Sequence, residues 1–339
     1  MKDELFEEYS KEKEPTKYYK TYAWKTAIGL QQVDGLEPSE YLIKTAEQSI
    51  NGNISFDDAH NLITTYYKEN KSHAERTEEA DKVSVRIAQM ISENSFVFSP
   101  IELITIHKRL FEGIYSHAGR IRDYNISKQE WVLDGDTVIY GNAYNLRETL
   151  DYDLGLEKNF DYTGLSTEET IKHLARFISN LWQIHIFGEG NTRTTAVFLI
   201  KYLSKLGFNV TNDIFAENSW YFRNALVRAN YNNRAKNVTE TTYYLELFFR
   251  NLLLDEDNIL SNREMHIAFK EIDEQPEIVT DREKMIIELV KENPQITLAE
   301  ISKKIGKSLR TVNSSMKLLQ EKGVIERVGS KKNGYWATN

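Results

Sequence analysis

Apolar residues along the chain recur mainly at spacings of three and four, the period of a helix with one buried face. Over residues 167–184 the recurring set is Ile171, Leu174, Phe177, Ile178 and Leu181, and residues 194–206 are almost wholly apolar, so two core helices are expected there. Nearer the N-terminus, Ser39 opens a helix through Tyr41, Leu42, Thr45, Ala46 and Ile50, which Asn51-Gly52-Asn53 closes. Ser55, with Asp58 three residues on, opens another over 56–70 with Ala59, Leu62, Ile63 and Tyr66 on one face. The polar run 69–79 has no apolar period and reads as a linker. Further helices are predicted over 83–91, after Ser99-Pro100 (through Leu103, Ile106, His107, Leu110, Phe111 and Ile114), and over 146–154, 219–230 and 239–254. Proline at the first helical position is a common opening. Period two enters the body once: Trp131, Leu133, Val138 and Tyr140 flank Asp134-Gly135-Asp136 and predict a β-hairpin over 127–140. After an acidic connector at 271–279, helices at 282–292, 298–305 and 309–321 and short strands at 324–328 and 335–337 describe a winged helix-turn-helix. The expected architecture is mainly α in four segments. These are an N-terminal helical unit (1–76), a helical body with one hairpin (77–262), a linker (263–280) and the winged helix (281–339).

Composition narrows the class without altering that architecture. A length of 339 residues suits two or three units, and 40% hydrophobic with 28% charged residues is ordinary for a soluble globular protein. No apolar run nears the roughly 20 residues that a membrane span needs. The acidic N-terminus lacks the apolar core of a signal peptide, and no cysteine is present for a disulfide or thiolate site. A cytoplasmic protein is the expectation. Charge adds an asymmetry: residues 281–339 hold twelve Lys and Arg against seven Asp and Glu, a net of +5, while the whole chain carries −8, leaving −13 on the rest. A basic tail on an acidic body predicts a nucleic-acid-facing module.

Between the two core helices lies His185-Ile186-Phe187-Gly188-Glu189-Gly190-Asn191-Thr192-Arg193. The second helix starts near Asn191, a good N-cap, and the unpaired amides there favour an anion, phosphate above all. Arg193 would meet phosphate through its planar fork. Glu189 would need Mg²⁺ between itself and a phosphate. His185 titrates near neutrality and suits a general base, and Phe187 is expected to plug into the core. On spacing alone, the same loop is equally well a structural turn with a satisfied histidine.

The loop resembles the signature of the Fic (Fic/Doc) family, His-x-Phe-x-Asp/Glu-Gly-Asn-Gly-Arg-x-x-Arg, and meets six of its eight specified positions. The resemblance covers about residues 77–254. It implies a protein adenylyltransferase that moves AMP from ATP to a Ser, Thr or Tyr hydroxyl of a target protein, or of itself, and releases pyrophosphate. On that resemblance His185 is the base, Glu189 holds Mg²⁺, and the amides of Gly188, Gly190 and Thr192 with the Asn191 side chain form an anion hole. Arg193 takes the distal phosphates, the hairpin is a flap that pairs with an extended target segment, and Tyr221 and Phe222 lie near the nucleobase, although such a pair is otherwise core. Thr192 departs from the family's second glycine. Ala196 stands at its second arginine, which puts the orientation of the triphosphate in doubt. Doc-type members act as kinases with the nucleotide reversed, so phosphoryl transfer is the alternative; Gly190 favours AMP transfer.

The N-terminal unit resembles a VbhA-type antitoxin fused in cis, whose inhibitory helix carries Ser/Thr-x-x-x-Glu-Gly/Asn. Thr65-Tyr66-Tyr67-Lys68-Glu69-Asn70 fits, with Thr65 and Glu69 on one helical face. Because Ala196 replaces the usual partner, Glu69 is expected either to turn to Arg193 or to inhibit weakly. In the tail, 309–321 is the expected recognition helix, presenting Arg310, Asn313, Ser314 and Lys317, with Lys307 just ahead and Lys331 and Lys332 of the wing on backbone phosphates. The expected partners are a hydroxyl-bearing target protein and DNA, or a protein, at the winged helix, with no membrane and a homodimer left open. The competing reading is a transcriptional regulator whose Fic-like body only senses nucleotide.

Overall fold

Serine side chains set where several helices start. Ser39 Oγ accepts from the Leu42 amide, Ser99 Oγ accepts from the Glu102 amide with Pro100 in the first turn, and Ser166 forms a reciprocal capping box with Glu169. A computed structural model describes residues 15–69, 75–269, 281–321, 324–328 and 335–338. The chain divides into two compact units, residues 1–269 and 270–339, each described by itself.

In the first unit the helices are α1 (Pro15–Gly29), α2 (Glu40–Ile50), α3 (Phe56–Glu69), α4 (Glu75–Ser92), α5 (Pro100–Phe111), α6 (Leu146–Lys158), α7 (Thr167–Ile184), α8 (Asn191–Lys205), α9 (Ile214–Ala229), α10 (Tyr243–Leu254) and α11 (Asn262–Met265). A short 3₁₀ turn, Leu30–Asp34, follows α1. Helix α8 is buried on every side from Asn191 to Leu203, which places it at the centre of the unit. Helix α1 packs chiefly on α4 and also on α9, with Trp24 fully enclosed. Gly29 permits the contact with α9, since a Cβ there would fall 2.2 Å from the Ala216 carbonyl oxygen. Asp81 on α4 ties in the other N-terminal helices, accepting from the Ser39 amide (2.8 Å) and the Tyr67 hydroxyl (2.7 Å). The buried residues of α1, α2 and α3 belong to the same continuous core as those of the later helices.

Two local expectations are corrected. The run 69–79 is not wholly a linker, because α4 begins at Glu75. The carboxylate of Glu79 accepts from buried Arg193 and from the Tyr115 hydroxyl, a circumstance that apolar periodicity does not register. The second correction concerns 127–140, where no strand forms. Asp134 and Gly135 do take the paired left-handed conformation of a tight turn, at φ 56° and 81°. Ahead of them, however, Trp131–Leu133 winds into a 3₁₀ turn in which the consecutive residues Val132 and Leu133 are both fully buried. Neighbours in a strand point to opposite faces, so this pair prevents the ladder. A side chain substitutes for part of it, with the Lys128 amide donating to Thr137 Oγ1 at 3.1 Å.

The second unit contains α12 (Asp281–Glu292), α13 (Leu298–Ile305), α14 (Leu309–Glu321) and antiparallel strands β1 (Ile325–Val328) and β2 (Tyr335–Thr338), with Ile325 opposite Thr338. Thr297 and Glu300 form a capping box, and Gly306 ends α13 at φ 66°. Ile286, Val290, Ile301, Val312, Met316 and Leu319 fill its own core. The expected arrangement of three helices and a two-stranded wing is therefore present, in a protein that is mainly helical. Asn70, the connector 271–279 and the wing residues Lys331 and Lys332 lie outside the described residues. No helix among the described residues is long and apolar enough to cross a membrane.

Candidate active site

Helix α7 ends at His185, whose left-handed backbone (φ 50°, ψ 55°) turns the chain out of the helix. For a residue other than glycine, that conformation costs on the order of 1–2 kcal/mol. Arg122 braces it, donating through Nε to the His185 carbonyl (2.7 Å) and through the other nitrogens to the carbonyls of Tyr124 and Gly141 (2.5 Å each). The imidazole packs between Tyr140 (ring centroids 4.2 Å apart) and Trp182 (5.2 Å). It is 4% exposed, and its Nδ1 is buried without a hydrogen-bond partner. Burial, reinforced by the ammonium of Lys128, holds its pKa well below the ordinary histidine range, so the ring is neutral near pH 7.

The Tyr140 side of this ring is also fixed. Fully buried Glu130 accepts from the Tyr140 hydroxyl (3.0 Å) and from Arg223 (3.1 Å), and a second Arg223 nitrogen lies 2.8 Å from its other oxygen. The arginine and hydroxyl satisfy a carboxylate that burial would otherwise make costly. Tyr140 is thereby held against His185.

From His185 the loop folds back on itself. Phe187 is enclosed as expected and stacks flat on His107, with centroids 3.7 Å apart and planes 12° from parallel. His107 Nδ1 accepts from the Gly119 amide (2.8 Å), so Nε2 carries the proton and donates to the Glu189 carbonyl (3.0 Å). Asn191 was expected to cap α8. Its side chain instead accepts from the Phe187 amide (3.0 Å) and donates to the Phe187 carbonyl (2.8 Å), which closes the loop, and α8 begins at Asn191 itself. The cap position belongs to Gly190, at φ 74°, where a Cβ would fall 2.4 Å from the Phe111 ring. Gly188 is buried beside it. Thr192 has a use of its own, since Oγ1 accepts from the Trp182 indole (3.0 Å). Glu189 alone projects outward, its side chain 54% exposed and Oε2 2.8 Å from Lys128 Nζ.

Arg193 differs most from expectation. It is 1% exposed and fully engaged. Nη1 donates to Gln31 (3.0 Å), Nη2 donates to Glu79 (2.5 Å) and the Tyr115 hydroxyl (3.1 Å), and Asp34 lies 2.8 Å from Nε as an ion pair. The Phe111 ring lies 4.8 Å from the guanidinium. Burial opposes the charge, but Asp34, Tyr115 and Glu79 more than offset it. The carboxylates on Arg193 are therefore not that of Glu69. On α3 the buried face is Ala59, Ile63 and Tyr67, which leaves Thr65 and Glu69 exposed on another face. Tyr221 and Phe222 were expected near the nucleobase. Both are enclosed in the core, with the Tyr221 hydroxyl on the Tyr244 carbonyl and Phe222 against Phe215 and Phe248.

Sequence reasoning missed His107, Arg122, Lys128, Glu130, Arg223 and the partners of Arg193, because each acts across a long chain separation. In the tail, Lys307, Arg310, Asn313 and Lys317 are all exposed, while Val312, Met316 and Leu319 between them are buried.

Comparison with known proteins agrees at the level of domains. Over 62 residues the chain is 37% identical to the HTH-type transcriptional regulator LrpA of Pyrococcus horikoshii, a match covering 17% of this chain and 44% of that protein. The chain thus spans less than half the length of that curated relative. Among solved structures, a Fic family protein from Desulfovibrio desulfuricans G20 is similar at a TM-score of 0.47 and 13% identity, over 99% of this chain and 90% of that one. The N-terminal FIC domain of the Bep8 protein from Bartonella sp. 1-1C is similar at a TM-score of 0.37 and 20% identity, over 59% and 87%. Residues 97–203 match the profile of the Fic/DOC family and residues 280–326 that of winged helix-turn-helix DNA-binding domains. The chain carries a Fic/DOC family domain built around the His185–Arg193 loop, followed by a C-terminal winged helix-turn-helix.

Proposed function

We propose that the body is a protein adenylyltransferase and that the tail binds DNA. The observation that carries the first part is His185, a neutral, buried imidazole with an unpartnered nitrogen beside the N-terminus of α8. In this reading a Ser, Thr or Tyr hydroxyl of the target attacks the α-phosphorus of ATP. His185 takes its proton, a new O–P bond forms, the bond from the α-phosphorus to the bridging oxygen breaks, and pyrophosphate leaves. The backbone amides at the start of α8 favour the phosphate charge. Phe187 and Asn191 hold the loop in shape, so those amides need no rearrangement as charge develops.

Glu189 brings one carboxylate, and no group of three or more His, Cys, Asp and Glu that could hold a metal occurs among the described residues. That donor set suits Mg²⁺ that takes most of its shell from phosphate and water. When bound, the ion supplies neutralisation of phosphate charge. Restraint by Thr65 and Glu69 forms no part of this reading, because both are exposed.

Full-length protein incubated with ATP labelled at the α or the γ position tests the reaction. Label from the α position alone, incorporated into protein and lost in His185→Ala, is the expected result. Label from the γ position alone would replace AMP transfer by phosphoryl transfer, the reading favoured by the missing arginine at Ala196. No label from either would leave a nucleotide sensor.

A further inference from the structure

Both arginine positions that would serve distal phosphates are unavailable here. Position 196 is a buried alanine, and Arg193 is enclosed with its donors on Gln31, Glu79 and Tyr115. A cation nonetheless faces the loop. Lys128 starts from a backbone amide anchored on Thr137, and its Nζ ends 2.8 Å from Glu189 Oε2. Its charge is also felt at His185, where it is the largest influence after burial. One ammonium therefore stands close to both the base and the outward carboxylate. Lysine is a compact point charge on a flexible four-carbon stem, so it can turn from a carboxylate to a phosphate without moving the backbone. The Glu189 side chain is half exposed, and pairs of that kind are weak, so the exchange costs little.

We propose that Lys128 is the cation that binds the nucleotide phosphates in this protein, and that Glu189 holds it until a divalent ion takes that carboxylate. The inference rests on the nucleotide reading above. The two halves of the exchange give opposite signs. Removing the ammonium should weaken binding of Mg·ATP, because a phosphate loses its partner. The same change should strengthen binding of Mg²⁺ alone, because Glu189 is freed.

Calorimetric titration of the full-length chain on a His185→Ala background, where no turnover occurs, separates them. Lys128→Met is expected to weaken Mg·ATP at least tenfold and to tighten Mg²⁺ alone. Lys128→Arg should recover most of the ATP affinity. A loop merely loosened by the substitution would bind both ligands more weakly, which would overturn the proposal. Equal ATP affinity in the parent and Lys128→Met would also overturn it while leaving the nucleotide reading intact. Failure of the parent itself to bind ATP would remove the nucleotide reading, and the role of Lys128 with it.

Discussion

His107 is held in one neutral tautomer in this loop. One ring nitrogen accepts from an amide and the other donates to a carbonyl, and the ring face lies against Phe187. Burial accordingly pulls its pKa down to about 4, with the Glu189 carbonyl partly opposing. The unfolded chain keeps the ordinary value of 6.5, so it binds the proton first as the pH drops. Stability from this group is therefore complete above 6.5 and is lost progressively as pH falls toward 4, by about 3 kcal/mol in all. His185 acts in the same direction. Urea unfolding of wild type and His107→Gln at pH 7 and pH 4.5 checks this: the variant should lose much less stability between the two. Identical pH slopes would show that His107 does not titrate as described. At this scale legibility followed chain distance. Phe187 and His185 could be picked out from residues beside them. The Glu189 partner of His107 lies 82 positions away, and Glu79 and Gln31 lie 114 and 162 from Arg193, beyond any local pattern.

Elements were legible where one face is buried and its opposite is wet. α14 is the plainest case, with Val312, Met316 and Leu319 inside and Arg310, Asn313 and Lys317 outside, as the period of 3.6 requires. The segment 127–140 shows the limit of the same logic. Its turn residues were correctly chosen, but burial of the adjacent Val132 and Leu133 and of the Glu130 carboxylate overrode the alternation. The exposed face of α14 makes a quantitative claim about DNA. If Lys307 and Lys317 neutralise one phosphate each, replacing either by alanine should lower the slope of log affinity against log salt by about one. Fluorescence anisotropy of full-length protein on duplex DNA across a salt series measures it. An unchanged slope in both variants would point the winged helix toward a protein partner.

Across the whole first unit, the N-terminal helices share the core of the Fic domain. Trp24 and Leu30 are fully buried in it, and Gln31 and Asp34 complete the surroundings of Arg193. Deleting residues 1–38 would therefore unmake the fold before it could release any activity. Loss of a buried tryptophan side chain alone costs about 3–5 kcal/mol, and stripping partners from a buried charge costs a similar amount. Scanning calorimetry should show the melting temperature of the body falling by more than about 10 °C or its cooperative transition vanishing. A truncated protein that melts where the full chain does would contradict the shared core. Sequence patterning cannot reveal such sharing, because an amphipathic helix looks the same whether it covers its own unit or another.

At position 185 the fold and the chemistry favour different side chains. Glycine would sit in the left-handed backbone at the end of α7 without strain, and it would remove a polar nitrogen that lacks a partner. The left-handed backbone and the unpartnered nitrogen are the cost of an imidazole there, and its packing against Tyr140 and Trp182 offsets part of it. A descendant that dispensed with the ring would relax the backbone only at the cost of a cavity between Tyr140 and Trp182, unless a neighbouring side chain grew into the space. Replacement of this histidine in a relative should therefore come paired with a change among the residues that enclose it, rather than alone.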